Sequence, residues 1–424
     1  MKEELLQFIW RWQYFNPHEL LSETGETLQV LSPGELNTHQ GPDFLHAQVR
    51  IGDTLLAGSV ELHIAASDWD RHAHTGDSHY RNVILHVVWE NDLGAGPAVK
   101  RSGGAEIPML VLQHRVPKLL LGQYESWMKS RIFVPCERDA AKVTDDAWRQ
   151  WKQQLLLQRL QRKTVMVRSW LEQNRQDWEE TAWWLLARNF GLTVNGAAFE
   201  AIGRSLPVRL LARHRGDVFR LEALLLGQAG LLEKEYPGLP EKGSPALLQK
   251  EYGYLQKKYR LVPVQTPLRF FRMRPAHFPT IRLAQLASLL AGHTGWCAAI
   301  LEADSPRDLD DRLQVKAGGL GKVMRNSLLI NTFIPLLYAY GRLRAAPAYQ
   351  DRALRWLREA GAEKNTILTG WVRSGVTNEH AADSQALLEL KTGYCDAKKC
   401  LHCAIGRMLL GKTGEWPGTE AGNR

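Results

Sequence analysis

The chain has 424 residues, of which 44% are hydrophobic and 23% are charged, and its formal net charge is +9. Because this length is long for one hydrophobic core, we expect two or three domains with an ordinary globular composition. No apolar run reaches the roughly eighteen residues of a membrane-spanning helix. Five cysteines without a signal peptide argue against a disulfide framework and for a reducing cytoplasm.

Residues 1–135 are predicted to form a mixed-sheet domain of the α/β or α+β class. The opening MKEELLQFIWRWQYF predicts an amphipathic helix, since it has two acids near its start and no small-residue cleavage site. Strand patterns follow in TLQVLS, FLHAQVRI, TLLAGSVELHI, NVILHVVWE and EIPMLVL. This part is acidic, with 11 Lys and Arg against 16 Asp and Glu.

Residues 136–412 are predicted to form an all-α, basic domain, followed by a flexible tail over 413–424. Thr144 is a candidate N-cap before two acids and a long helical pattern. The chain after residue 135 has 43 Lys and Arg against 29 Asp and Glu. An acidic N-terminal part and a basic C-terminal part are typical of a protein that joins a metal site to a phosphate-binding surface. The alternative is a basic soluble protein without such a site.

Asp43, Glu61 and His63 form the main candidate catalytic group. Asp43 precedes one predicted strand, and the other two residues end the next strand with their side chains on the same face. Two carboxylates offer the oxygen ligands that Mg²⁺ or Mn²⁺ requires beside a phosphate, and such a metal activates water. The alternative is a hairpin with a polar face.

These residues resemble the PD-(D/E)XK nuclease pattern, with Pro42-Asp43 as PD and Glu61-Leu62-His63 as (D/E)XK. The resemblance implies a restriction-endonuclease-like mixed sheet flanked by helices, with Asp43 and Glu61 as metal ligands. Histidine stands where that superfamily has lysine, and its charge depends on pH as that of lysine does not. A catalytically inactive nucleic-acid-binding protein with the same fold is therefore an alternative.

Seven of the fourteen histidines lie between residues 39 and 86. In SDWDRHAHTGD, His72 and His74 are one residue apart, and Asp68 and Asp77 flank them. This group predicts a possible second metal or substrate cluster, which would make the protein a zinc hydrolase. The alternative is a solvated loop whose histidines cap or stack, and His86 is predicted to be a core histidine.

Three cysteines follow the spacing Cys395-x4-Cys400-x2-Cys403 in GYCDAKKCLHCAIG. Thiolates at this spacing suit zinc or an iron–sulfur cluster. Cys136 is the first candidate for the fourth ligand and His402 the second, and a site closed by Cys136 would tie the C-terminal segment to the sheet domain. Buried thiols in a helix pair are the alternative.

Two basic segments are candidates for binding nucleic acid, because arginine binds phosphate and aromatic rings stack on unpaired bases. The alternatives are a solvated helix face for the first segment and a proline-fixed loop packed on the core for the second. The candidate residues are Arg159, Arg162 and Lys163 in the first segment, and Arg269, Arg272, Arg274 and Arg282, interleaved with phenylalanines, in the second.

Segments along nearly the whole chain resemble a bacterial family known as domain of unknown function 2851. They include GPDF, GSVELH, SDWDRHAH, ILHVVWE, VPCE, LLLGQAGLL, RMRPAHFPTIRLAQLA, NTFIPLLYAYG and YCDAKKCLHCAIG. The family implies no activity. The residues favour a divergent metal-dependent nuclease or nucleic-acid-processing protein, with no membrane partner.

Overall fold

The computed structural model describes residues 1–94, 99–100, 104–233, 236–238, 245–271, 274–314 and 320–411. The chain divides into two compact units, Met1–Trp151 with Lys391–Arg424, and Lys152–Leu390. The predicted boundary at residue 135 lies inside the first unit, and the cysteine-bearing segment after residue 390 belongs to that unit. The predicted tail over 413–424 lies outside the described residues.

The first unit contains a sheet and five helices in its described part. Its elements are α1 (Glu3–Arg11), β1 (Leu28–Ser32), β2 (Glu35–Leu36), β3 (Phe44–Ile51), β4 (Thr54–Ala65), α2 (Asp68–Arg71), β5 (Val83–Glu90), β6 (Met109–Val111), α3 (Lys118–Lys129), the start of α4 (Asp145–Gln173) and α18 (Ala404–Leu410). Strands β1, β3, β4, β5 and β6 confirm the five predicted strand patterns.

The sheet is a curled mixed sheet with strand order β1-β3-β4-β5-β6, and β2 pairs with β3. Strands β1, β3 and β4 are antiparallel neighbours, whereas β4, β5 and β6 run parallel. The register of β3 on β4 shifts near the start of β3, where His46 has a φ of 59°. A sheet unit and a helical unit confirm the α+β class.

Burial along β4 and β5 explains how polar residues reach the interior. All residues from Val83 to Val88 are buried, as expected for a strand with a parallel neighbour on each side. The first residues of β4 are largely exposed, but residues 58–63 are buried. The second half of β4 therefore carries Glu61 and His63 into the core, with Glu61 in register with His86 on β5.

The second unit is helical in its described part. It contains the rest of α4, then α5 (Trp178–Phe190), α6 (Leu192–Ser205), α7 (Val208–Ala212), α8 (Val218–Gln228), α9 (Pro245–Tyr259), α10 (Pro279–Gly292), α11 (Trp296–Glu302), α12 (Pro306–Leu313), α13 (Lys322–Leu328), α14 (Ile334–Leu343), α15 (Pro347–Glu359), α16 (Thr366–Arg373) and α17 (Ala381–Leu390). Among the described residues, no helix has both the length and the apolarity to cross a membrane.

We expect Gly58→Ala to destabilise the protein, because a Cβ there would lie 2.5 Å from the Asn82 carbonyl oxygen and from Ile84 Cγ2. Overpacking of this kind costs about 2 kcal/mol. The control is Gly122→Ala on α3, where nothing lies within 4 Å of the added methyl group and a gain of up to about 1 kcal/mol is expected. Urea unfolding of both variants measures the difference, and equal stabilities would contradict this close packing of β4 on β5.

Candidate metal centre

Reciprocal hydrogen bonds join the start of β3 to the second half of β4. The Asp43 backbone N–H donates to Glu61 Oε2 at 3.0 Å, and the Leu62 N–H donates to Asp43 Oδ2 at 3.0 Å. The amide of Gln7, on α1, donates to Asp43 Oδ1 at 2.8 Å. Both carboxylates are therefore fixed in direction, and the other oxygen of Glu61, Oε1, is left to face the neighbouring histidines.

Burial, and after it the nearby Glu61 carboxylate, raise the pKa of Asp43 to about 8. Two carboxylates in one partly desolvated site disfavour each other's charge. A cation bound beside them would relieve this repulsion.

A left-handed residue brings His72 and His74 towards His63. Helix α2 ends at Arg71, and Ala73 has a φ of 59° immediately before the 3₁₀ turn His74–Gly76. The chain turns there so that both imidazoles reach the same place. His72 Nδ1 lies 3.2 Å from His63 Nε2, and the rings of His63 and His74 stack with centroids 5.2 Å apart.

The donor atoms have the spacing of ligands around one metal ion. Zinc–imidazole bonds of about 2.0–2.1 Å place neighbouring ligand atoms of a tetrahedron about 3.3 to 3.4 Å apart. Glu61 Oε1 lies 3.5 Å from His63 Nε2 and 3.4 Å from His74 Nε2. Donor atoms of His63, His72 and His74 all lie within 4.8 Å of one another. Glu61 does not belong to this group of three, although its Oε1 lies near two of the three imidazoles.

The surroundings hold His63 and His86 in the neutral form, which is the form of imidazole that metals bind. His63 Nδ1 contacts His86 Nε2 at 2.9 Å, which leaves His63 Nε2 facing the cluster. Burial lowers the pKa of His63 to about 2 and that of His86 to about 3, and neighbouring imidazoles act in the same direction. Both rings are therefore neutral at pH 7.

One buried nitrogen of the cluster lacks a hydrogen bond. His74 Nε2 forms no hydrogen bond in the described structure, although Glu61 Oε1 lies 3.4 Å from it. Its ring is held by stacking on Tyr80, with the ring centroids 3.8 Å apart. Leaving a buried polar atom unpaired costs about 1–3 kcal/mol. A metal ion at this nitrogen would remove that cost.

The two aspartates predicted beside the HxH loop have other partners. Asp68 accepts from the Ala65 N–H at 3.0 Å and forms an ion pair with Arg71 at 2.5 Å. Asp77 pairs with His79 at 2.7 Å near the surface. The structure therefore brings His72 and His74 next to His63 and Glu61, and members of the two sequence-predicted groups form one candidate site.

Sequence reasoning missed Gln7 and underestimated His86. Nothing in the sequence of α1 marks Gln7 as a partner of Asp43, because the contact depends on how the helix packs against the sheet. His86 is buried as predicted, and it also contacts a candidate ligand. The pairing of β4 with β5 could have indicated this, since Glu61 and His86 are in register.

The basic candidates of the second unit are largely engaged within that unit. Arg159 donates to Gln385 Oε1 at 2.7 Å and to Glu389 Oε2 at 3.0 Å, and Arg162 also bonds to Glu389. Lys163 donates to Asn331 Oδ1 at 3.2 Å. These contacts join α4 to α17 and to the turn before α14, which gives the first basic segment a structural role.

In the second basic segment, the Arg269 N–H donates to Asn195 Oδ1 at 2.8 Å, and Arg282 is buried beside Gln285. Arg274 is exposed, and Arg272 lies outside the described residues.

The four cysteines predicted as ligands, Cys136, Cys395, Cys400 and Cys403, all lie in the first unit, whereas Cys297 lies in α11 of the second.

A family whose description is "Protein of unknown function (DUF2851)" matches residues 3–319 and 314–366. This match confirms the family resemblance found in the sequence. No curated protein and no solved structure matches the chain. The resemblance to PD-(D/E)XK nucleases therefore has no structural neighbour behind it.

We expect chelator-treated protein to bind one Co²⁺ through His63, His72, His74 and Glu61. His72→Ala should weaken this binding at least about 100-fold, because it removes a ligand and leaves the buried residues in place. The matched control is His79→Ala, which removes another exposed histidine that pairs with Asp77 instead. Cobalt absorption without a thiolate charge-transfer band measures occupation of this site, and equal binding by both variants would exclude it.

We expect the partly buried Lys163 to make stability depend on pH. Burial, and then Arg159, lower the pKa of its ammonium group from 10.5 to about 7. Folding therefore releases a proton between these pH values, and the free energy of unfolding rises with pH across that window. Between pH 7 and pH 9, the free energy of unfolding of the wild type should rise by roughly 2 kcal/mol more than that of Lys163→Gln.

Urea unfolding at the two pH values measures this gain. The control is Lys250→Gln, which changes an exposed lysine of α9 and should alter stability equally at both values. If Lys163→Gln and Lys250→Gln show the same pH dependence, the Lys163 ammonium lies in solvent. It would then be accessible to nucleic acid.

Proposed function

The chain belongs to this family of proteins of unknown function, so its own residues must indicate its activity, and we propose that it is a metal-dependent hydrolase of phosphodiester bonds in nucleic acid. One observation carries the proposal: three imidazoles gather beside a buried carboxylate at the spacing of metal ligands. In such sites a bound metal lowers the pKa of a water molecule to about 7 and polarises the phosphoryl oxygen.

The ligand set favours Zn²⁺ or Mn²⁺ over Mg²⁺. Imidazole suits zinc and other transition metals, whereas Mg²⁺ prefers oxygen ligands and keeps several waters. His63 would serve as a ligand, because a buried, neutral imidazole in contact with His86 cannot supply the positive charge of a lysine. The metal itself would supply that charge at the reacting phosphate.

Asp43 and Glu61 would act as a coupled pair. Glu61 Oε2 accepts a hydrogen bond from the Asp43 backbone, which leaves Oε1 for the metal. The Asp43 carboxylate is held by Leu62 and Gln7 beside the same site. Substrate would enter from the side of His72, which is exposed while the other three candidate ligands are buried.

Two features support phosphodiesters as the substrate class. An aspartate ahead of one strand and Glu-x-His on its antiparallel neighbour, within a mixed sheet, resemble the PD-(D/E)XK arrangement. The first unit also has an open basic cleft of about 950 Å³ along α3 and the segment that follows it. Its cationic residues are Lys118, Lys129, Arg131, Arg138 and Lys142, of which Lys142 pairs with Asp139 in the same cleft and Lys129 pairs with Glu125. A concave, positively charged surface attracts the phosphate backbone.

We expect the wild type, loaded with Mn²⁺ or Zn²⁺, to cleave DNA or RNA, and single- and double-stranded forms of each should be tested. Glu61→Gln and His72→Ala should lower the rate at least about 100-fold, since both change the metal's ligands. His79→Ala should cleave like the wild type. Chelator should abolish cleavage by the wild type and by the control.

The outcomes separate the alternatives. Equal cleavage by the wild type and Glu61→Gln would exclude this site as the catalytic centre. Salt-sensitive binding without cleavage would favour an inactive nucleic-acid-binding protein. Metal-dependent hydrolysis of a simple carboxylic ester, with nucleic acid left intact, would keep the hydrolase and reject phosphodiesters as its substrates.

A further inference from the structure

A second cluster of metal-binding side chains lies in the first unit, and the proposed hydrolase site does not use it. Four of the five cysteines belong to it. Cys136 follows α3, Cys395 ends the π-helical turn Lys391–Cys395, Cys400 begins the 3₁₀ turn Cys400–His402, and Cys403 is the N-cap of α18. All five cysteines of the chain are free thiols.

Contacts around these cysteines fold the C-terminal segment against the chain just before Cys136. The Lys391 ammonium lies 5.3 Å from the centre of the Phe133 ring. The Lys398 ammonium donates a hydrogen bond to the Met128 carbonyl oxygen. These contacts bring together two parts of the sequence that are more than 250 residues apart.

The four thiols lie close enough to influence one another. Burial raises the pKa of Cys136, and the thiols of Cys403 and Cys400 raise it further. Burial also raises the pKa of Cys395, with contributions from the other three. Three of the four thiols are buried and Cys395 is half-buried, so sulfur donors from two distant parts of the sequence gather in one region of the first unit, and metals bind such donors as thiolates.

The backbone around Cys403 is shaped to hold a thiolate. The N–H groups of Ile405 and Gly406 form hydrogen bonds to Cys403 that favour its ionised form, although burial has the larger and opposite effect on its pKa. A Cβ at Gly406 would lie 2.2 Å from the Cys400 carbonyl oxygen. Glycine therefore permits the close turn that places Cys400 and Cys403 on one side.

We infer that Cys136, Cys395, Cys400 and Cys403 hold an iron–sulfur cluster through four thiolates. A single tetrahedral zinc ion would require the sulfurs to lie about 3.8 Å apart. Among the described residues, however, no three cysteine sulfurs lie within 4.8 Å of one another. A cluster binds one thiolate at each of several irons and so suits wider spacing. The alternative fourth ligand, His402, is exposed, whereas Cys136 is buried.

The centre would join the C-terminal segment to the segment that follows α3, which is a role separate from hydrolysis. It supplies a covalent connection through the metal between residues that are distant in the sequence. The cost of closing so long a loop would be met by metal binding. Loss of the centre should therefore loosen α18 and the cysteine-bearing turns.

The test is the metal content of the full chain purified without oxygen. We expect iron and acid-labile sulfide in near-equal amounts and a broad visible absorption band that bleaches on reduction. Cys400→Ala should lose at least nine-tenths of the iron, and Cys136→Ala should do the same. The matched control, Cys297→Ala, removes the remaining cysteine and should keep the iron, as should His72→Ala.

Protease digestion of the same samples gives a second readout. The iron-loaded wild type should resist cleavage between residues 391 and 411, whereas Cys400→Ala should be cut there. Wild-type protein that contains neither iron nor zinc would overturn the inference, as would iron that remains in Cys400→Ala. Zinc in place of iron, lost with the same cysteines, would overturn the choice of a cluster. Because wild-type metal content is measured directly, a variant that fails to fold does not obscure the result.

Discussion

The first unit depends on the hydrogen bonds exchanged between Asp43 and the Glu61–Leu62 pair. These bonds fix the start of β3 against the buried half of β4, beyond the irregular register near His46. They also determine which oxygen of Glu61 faces the histidines. If β4 slipped by one residue, its side chains would exchange faces and the carboxylate would point away from the cluster. Sheet register and donor geometry are thus set by the same contacts.

Burying so many polar groups beside β4 and β5 is costly unless they find partners. His63 and His86 satisfy each other in part, and Asp43 is satisfied by an amide and a backbone N–H. His74 Nε2 has no such partner in the described structure. A divalent ion would pair with this nitrogen and offset the repulsion between the carboxylates. Burial disfavours charged side chains at this place when no ion is bound. The same exclusion of water would strengthen the attraction between these side chains and a bound cation.

The return of residues 391–411 to the first unit changes how the chain is organised. The sequence predicts a sheet domain over 1–135 and a helical domain over 136–412. In the structure, residues 391–411 belong to the same compact unit as the sheet. Residues from Lys152 to Leu390 instead form a unit inserted between two parts of the first. Domain predictions from local composition cannot detect such a return, because the contacts that produce it join residues far apart in sequence.

The sequence by itself determined the five strands, the helical character of the second unit and the residue types of both candidate metal-binding groups, because periodicity and spacing are local properties. It identified Asp43, Glu61 and His63, and separately His72 and His74. Only the tertiary structure decided that these residues lie near one another, that Asp68 and Asp77 have other partners, and that Arg159 and Arg162 are engaged with Glu389. The physical reason is that a ligand set is defined by distances of a few ångströms. Those distances depend on strand register, on a left-handed turn at Ala73 and on packing between elements, none of which residue spacing encodes.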